Sequence, residues 1–246
     1  MKQDEKHPEC ACDSAVSATE QAPTEMLQST PIVFVVDDDF SVRESLGPLI
    51  CTEGLQPKMF GTAREFLAHP RVLVPNCLVL DFLLPDMNGL EVQKRIAFER
   101  EEMSVIFVSG CGDVPMTVRA MKAGALDFLT KPFNDDCLLR AIREGLECSR
   151  EALLRDAEMR TLRACYASLS WREQQVMLLV VAGLSNRQVG SELAIAEGTV
   201  KTHRGRVMEK MMAESFVDLI RKAARLSHAN LGDVEYQDNT GDPWGR

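Results

Sequence analysis

The sequence predicts a doubly wound, five-stranded parallel α/β sheet, then a long linker helix, then a small all-helical domain of four helices. Three observations carry this. Short, continuously apolar, β-branched runs recur between residues 31 and 134 and alternate with helical patterns, as in a parallel sheet covered on both faces. Residues 135–167 contain no proline and place Leu139, Ile142, Leu146 and Leu153 at helical spacing among many charges. From Ser170 onward the pattern is helical throughout.

Taken in order, residues 1–30 mix Glu, Gln, Ser, Thr, Ala and Pro without apolar periodicity and read as a disordered extension. Ile32–Val36 is a buried strand ending in carboxylates, and Ser41 is placed to cap a helix running to about Glu53. Gln56–Phe60 is an edge strand, because Pro57 lacks an amide donor. Strands follow at Cys77–Leu80, Val105–Val108 and Leu126–Leu129, with helical patterns at Leu90–Phe98, Met116–Ala123 and Leu138–Leu146. The core of this first domain spans 31–134, and its last helix continues as a linker over 135–167. Ser149 and Asp156 interrupt the apolar stripe of that helix, so a coiled-coil seam there is imperfect. Residues 168–227 form the second domain, and 228–246 read as a flexible acidic tail.

Composition narrows the class. With 246 residues, 45% hydrophobic and 26% charged, the chain is long enough for two cored domains and is neither collagen-like nor a small disulfide scaffold. The longest apolar stretch, Val176–Leu184, is far short of a membrane span. The acidic N-terminus lacks the basic and apolar regions of a secretory signal, so a cytoplasmic protein is expected. The eight cysteines have no metal-ligand spacing and read as reduced thiols. The net charge of −9 conceals an asymmetry: residues 151–227 hold twelve Lys and Arg against nine Asp and Glu. A basic stretch inside an acidic chain is the electrostatic footprint of a polyanion partner such as DNA.

Functional groups of an open parallel sheet gather at the carboxyl ends of its strands. Asp37, Asp38 and Asp39 follow the first strand, Asp81 the third, Ser109 ends the fourth and Lys131 follows the fifth. Carboxylates on one edge repel one another unless a cation is present, and hard oxygen ligands suit Mg²⁺. Lys131 supplies a point charge and Ser109 a hydroxyl, both matched to phosphoryl oxygens, while Asp81 is placed as a carboxylate nucleophile toward phosphorus. Asp39 reads as a solvated neighbour. Cys111, near Ser109, reads as a tolerated small residue in a loop over the site.

VVDDD, VLDFLLPDMNG, VIFVSG and DFLTKPF resemble, in order and spacing, the receiver domain of two-component response regulators, a flavodoxin/CheY-like fold. The resemblance implies that Asp81 is the phosphoacceptor, that Asp37, Asp38, Asp81 and the Leu83 backbone carbonyl hold Mg²⁺, and that Ser109 and Lys131 bind phosphoryl oxygens. Phe128 stands at the position of the family's switch aromatic, expected to turn inward when Ser109 moves toward the phosphate. Phosphorylation would then bias two arrangements of the fourth helix and fifth strand.

In the second domain Trp171, Val176, Leu179 and Val180 form the apolar stripe of a first helix, ended by Gly183. Ser185 caps a second helix with Val189 and Leu193 inward, and a turn at 194–198 leads to a third with Val200 and Val207 buried. Two helices joined by a tight turn, with cations leading the second, are the helix-turn-helix solution for entering a major groove. WREQQV, AGLSNRQV and TVKTHRGRVMEKM resemble the LuxR-type (NarL/FixJ-like) DNA-binding domain. That resemblance implies DNA contacts from Thr199, Lys201, Thr202, His203, Arg204 and Arg206. Lys201 and Thr202 would lie at base edges and Arg204 or Arg206 on phosphates, with Gly205 where a reading side chain often stands. The last helix, about Ser215–Leu226 with Phe216, Leu219 and Ile220, would pair two copies.

The whole-chain order resembles the FixJ subfamily, with GDVPMTVRAMKAGALDFLTKPF especially close. The expectation is a phosphorylation-activated transcription regulator. It is served by a cognate sensor histidine kinase, dimerises on phosphorylation, binds promoter DNA and activates transcription through RNA polymerase. It is no enzyme beyond Mg²⁺-dependent self-phosphorylation and autodephosphorylation. One alternative is a receiver that serves as a passive docking surface. Another is a haloacid-dehalogenase-type phosphatase built on Asp37-x-Asp39, Ser109, Lys131 and Asp135–Asp136, which leaves Asp81 and the PDMNG turn without a role.

Overall fold

The computed structural model describes residues 29–232 apart from Cys111. The chain divides between Leu153 and Leu154 into two compact units. Most of the expected N-terminal extension lies outside the described residues, as does Cys111.

Five strands build the first unit: β1 Ile32–Val36, β2 Gln56–Phe60, β3 Asn76–Asp81, β4 Ser104–Ser109 and β5 Asp127–Thr130. They pair in parallel in the order β2-β1-β3-β4-β5, with Pro57 on the edge strand as its missing donor requires. The chain reverses its direction of travel across the sheet between β1 and β3. Helices α1 Phe40–Thr52, α2 Ala63–Ala68, α3 Gly89–Glu99, α4 Val114–Lys122 and α5 Asp135–Ala167 complete the unit, α5 continuing into the second.

Alternation along β1 sorts its side chains to the two faces. Phe34 and Val36 join Leu78, Leu80 and Phe107 beneath Phe66 of α2, Val92 and Ile96 of α3 and Ala120 of α4. Val33 and Val35 join Val79, Ile106 and Val108 beneath Leu46 and Ile50 of α1 and Leu138, Ile142 and Leu146 of α5. The sequence reading missed α2, whose six residues are too few to show a helical period; Thr62 caps it by accepting from the Glu65 amide at 3.2 Å. The cap of α1 is Asp39, whose carboxylate accepts from the Ser41 amide at 2.9 Å. Ser41 is therefore in the first turn and is not the cap.

The break in the apolar stripe of α5 has a structural cause. The amide of Asn76 at the start of β3 donates to the buried hydroxyl of Ser149 at 3.0 Å, so a polar residue in the stripe satisfies a strand donor that burial would orphan. Gly145 allows the same helix to lie close: a Cβ there would stand 3.2 Å from Cys77 Cβ and 3.3 Å from Leu126 Cδ2.

The second unit contains α6 Trp171–Val181, α7 Asn186–Leu193, α8 Glu197–Lys210 and α9 Phe216–Gly232. Capping boxes start α6 (Ser170 with Glu173) and α7 (Ser185 with Gln188). The core is Val176, Val180, Val189 and Val200 on one side, and Leu162, Met177, Val207, Met211 and Leu219 on the other. Trp171 departs from its expected inward place: it is 72% exposed, while Met177, outside the expected stripe, is buried in the cluster with Val207 and Leu219. Residues 228–232, expected in the tail, belong to α9, which continues to Gly232. The rest of the expected tail, 233–246, lies outside the described residues.

Candidate functional site

The parallel register brings the ends of four strands to one edge. Val36 aligns with Leu80, Asp81 with Val108 and Ser109 with Thr130, so Asp37, Asp81, Ser109 and Lys131 converge where the strand order reverses. Carboxylate oxygens of Asp37, Asp38 and Asp81 lie within 4.8 Å of one another. Lys131 Nζ donates to Asp37 Oδ2 and to Asp81 Oδ2, each at 2.6 Å. The Asp37 side chain is fully buried, while that of Asp81 keeps 10% exposure and Asp38 is exposed.

Electrostatics follow from the packing. Burial pushes the Asp37 carboxyl above its usual range against the pull of Lys131. Burial alone would lower Lys131, but its bonds to Asp37 and Asp81 hold the ammonium above its ordinary value. Three carboxylates against one ammonium leave net negative charge among hard oxygens, a donor set that fits Mg²⁺.

Backbone contacts shape the rest of the pocket. The Leu83 amide donates to Asp81 Oδ1 at 3.0 Å, turning the chain after β3. Ser109 is fully buried at the end of β4, and its carbonyl accepts from the Lys131 amide at 2.8 Å. Phe128 is half-buried, its ring 6.0 Å from Phe82 and 6.2 Å from Phe107. Gly112 passes so close to β5 that a Cβ would stand 2.3 Å from Thr130 Cγ2.

Two residues of this region escaped the sequence reading. Asp86 accepts from the amides of Ala63 at 3.2 Å and Arg64 at 3.0 Å, tying the loop after Asp81 to the start of α2. Arg43 donates to the carbonyl of Asp37. The PDMNG turn was visible, but its partner helix was not, so nothing pointed to the Asp86 latch. Among the described residues, Cys51, Cys77, Cys137, Cys148 and Cys165 are free thiols; burial pushes Cys77 up to about 12, as for an inert core residue.

In the second unit the turn between α7 and α8 is fixed by two small residues. Ala194 adopts the left-handed conformation at φ 53°, and a Cβ on Gly190 would stand 2.8 Å from the Ile195 carbonyl oxygen. Val200 and Val207 seat α8, leaving Thr199, Lys201, Thr202 and Arg206 exposed and His203 and Arg204 half-buried. The expected pairing surface on α9 needs correction. Leu219 is fully buried in the core, which takes it out of that surface, while Phe216 is half-buried and packs against both hydrophobic clusters of the unit. Ile220 is 36% exposed beside Val217 at 57%. Glu173 was also missed: it caps α6, is bonded by Lys210 at 2.7 Å and is held down to about 2 by that ammonium and the Ser170 amide.

An acidic pocket at the switch point of a five-stranded parallel sheet, joined in one chain to a helix-turn-helix, defines a signal-receiving DNA-binding protein. Comparison with known proteins agrees. The family described as response regulator receiver domain matches residues 33–143, and the family of bacterial regulatory proteins of the luxR type matches residues 167–223. Response regulator protein TmoT of Ectopseudomonas mendocina is 45% identical over 195 residues, covering 79% of this chain and 89% of TmoT. The transcriptional regulatory protein FixJ of Rhizobium meliloti is 41% identical over 193 residues, covering 78% of this chain and 94% of FixJ. The low-resolution structure of the response regulator StyR superposes with a TM-score of 0.72 at 43% identity, covering 80% of this chain and 100% of StyR. The chain belongs to the two-component response regulators that carry a receiver domain and a LuxR-type DNA-binding domain. Membership implies phosphorylation-dependent transcription regulation and not the work of a classical enzyme, and the dehalogenase-type phosphatase reading falls with it. No helix among the described residues is long and apolar enough to cross a membrane.

Proposed function

We propose that this regulator is switched by transfer of a phosphoryl group from a cognate sensor histidine kinase to Asp81. The observation that carries the proposal is the contrast between the two carboxylates bonded by Lys131: Asp37 is sealed, and Asp81 alone of the pair has side-chain surface open to a donor. A carboxylate oxygen of Asp81 attacks the phosphorus of the phosphohistidine, the P–N bond breaks, and the imidazole leaves with the electron pair. Asp37, Asp38, Asp81 and the Leu83 carbonyl supply the oxygens for Mg²⁺, which when bound offsets the negative charge that the phosphoryl group brings to three carboxylates. Lys131 and the Ser109 hydroxyl hold phosphoryl oxygens. Their movement toward the phosphate lets Phe128 turn further inward, biasing α4 and β5. Small phosphodonors serve in place of the kinase, and water later removes the group.

The phosphorylated chain dimerises and binds promoter DNA in the cytoplasm, activating transcription through RNA polymerase. Lys201 and Thr202 approach base edges, Thr199 and Arg206 lie at the backbone, and His203 packs beside them. Ile220 with Val217 is the part of α9 open to a second copy.

The test compares wild type with Asp81→Asn, in Mg²⁺ and a small phosphodonor at fixed salt, by mass in solution and promoter-DNA affinity. Wild type is expected to shift to a dimer and bind more tightly, and the variant to do neither. Identical behaviour of both proteins would leave the receiver as a passive docking surface.

A further inference from the structure

We infer that Arg204 is a positioning residue of the recognition helix and not one of its phosphate contacts, an inference that rests on the DNA-binding reading of α8. The Arg204 guanidinium lies over the Phe216 ring, 4.8 Å from its centroid, and Nη1 donates to Asn186 Oδ1 at 3.2 Å. Asn186 is the first residue of α7 and Phe216 the first of α9. One side chain on α8 therefore joins three helices. Its platform is fixed, since Phe216 packs against both hydrophobic clusters of the unit.

A second cation from α9 holds the far end of the same helix. Lys222 Nζ donates to the carbonyls of Met211 at 3.2 Å and Met212 at 2.6 Å, just past the last turn of α8. The helix that enters DNA is thus oriented by side chains along its length. Lys201 and Arg206 on the same helix are exposed and make no ion pair among the described residues, which leaves them for phosphates and bases. The Phe216 ring and the Asn186 amide already hold the Arg204 guanidinium in place.

Chemistry explains why this position holds arginine. A planar guanidinium stacks on a ring while donating in its own plane, and a lysine ammonium cannot do both. At a phosphate contact, lysine in place of arginine keeps the charge and with it the salt slope. Lysine therefore distinguishes the two roles.

The experiment uses the full chain with Mg²⁺ and a small phosphodonor. It measures affinity between about 50 and 200 mM salt for a duplex selected by the wild type from a random library and for a scrambled duplex of equal length. The variants are Arg204→Lys, Arg204→Gln, Phe216→Leu and, for comparison, Arg206→Gln. The first three are expected to weaken binding to the selected duplex about tenfold, with affinity for the scrambled duplex and its salt slope unchanged. Arg206→Gln is expected to weaken both duplexes and reduce the slope by about 0.9 per copy. The inference is overturned if Arg204→Lys binds as wild type does while Arg204→Gln loses about 0.9 of slope. A wild type that binds neither duplex with salt dependence instead brings down the DNA-binding reading itself, and this inference with it.

Discussion

At the scale of single residues, the receiver pocket is governed by how few cations face how many carboxylates. Lys131 divides its bonds between Asp37 and Asp81 at equal lengths, so any anion that draws it away leaves the buried Asp37 less compensated. That imbalance couples occupancy of the site to its local structure. A different residue shows a cost without a visible return. Gln93 of α3 is 2% exposed, and among the described residues neither its side-chain oxygen nor its nitrogen has a hydrogen-bond partner. Each orphaned buried polar atom costs about 1–3 kcal/mol, and leucine has nearly the same volume. Gln93→Leu should therefore raise the stability of the first unit by about 1–2 kcal/mol, read as a higher urea midpoint at unchanged slope.

At the scale of elements, two contacts set how helices meet their neighbours. In the first unit the Ser149 hydroxyl closes the first amide of β3. In the second, the Glu173 carboxylate joins the start of α6 to Lys210, the last residue of α8. Because Glu173 is held down to about 2 from an ordinary 4.5, the folded state binds its proton less readily than the unfolded chain. The contribution is thus fully present above pH 4.5 and is lost as the pH falls toward 2. Acid titration of the wild type, followed by helical signal, should show this loss. Glu173→Gln should be less stable at pH 7 by about 1–3 kcal/mol and should show a flatter profile below pH 4.5. Equal acid sensitivity of the two proteins would remove the contact from the account.

At the scale of the whole molecule, two units with separate hydrophobic clusters predict two heat-unfolding transitions in calorimetry. Mg²⁺ should move only the receiver's transition, adding about 2.7 kcal/mol at a hundred times its dissociation constant. In Asp37→Asn that response should vanish. With the metal absent, the variant's receiver should unfold at a higher temperature than wild type, because a buried carboxyl whose pKa is raised penalises the folded state at neutral pH. A single transition that Mg²⁺ moves as a whole would mean that the units unfold as one.

Local signals already present in the chain settled much of this. β-branched runs ending in Asp, a Pro-free stretch at helical spacing and cations leading a helix after a tight turn are properties of neighbouring residues, and they determined the strands, the long α5, the order of the units and the set Asp37, Asp81, Ser109 and Lys131. Which partner each residue meets was decided in three dimensions. Trp171 faces outward, Leu219 inward, and Arg204 lies on Phe216 although both read as free for contact with other molecules. Asp86 reaches a six-residue helix too short to announce itself, and Ser149 sits in an apolar stripe because a strand amide 73 positions earlier requires an acceptor. Periodicity records which face of a helix is buried on average. Burial of a particular side chain, and the hydrogen bond that makes burial tolerable, depend on segments distant in sequence whose approach is fixed only when the sheet and the helices have packed.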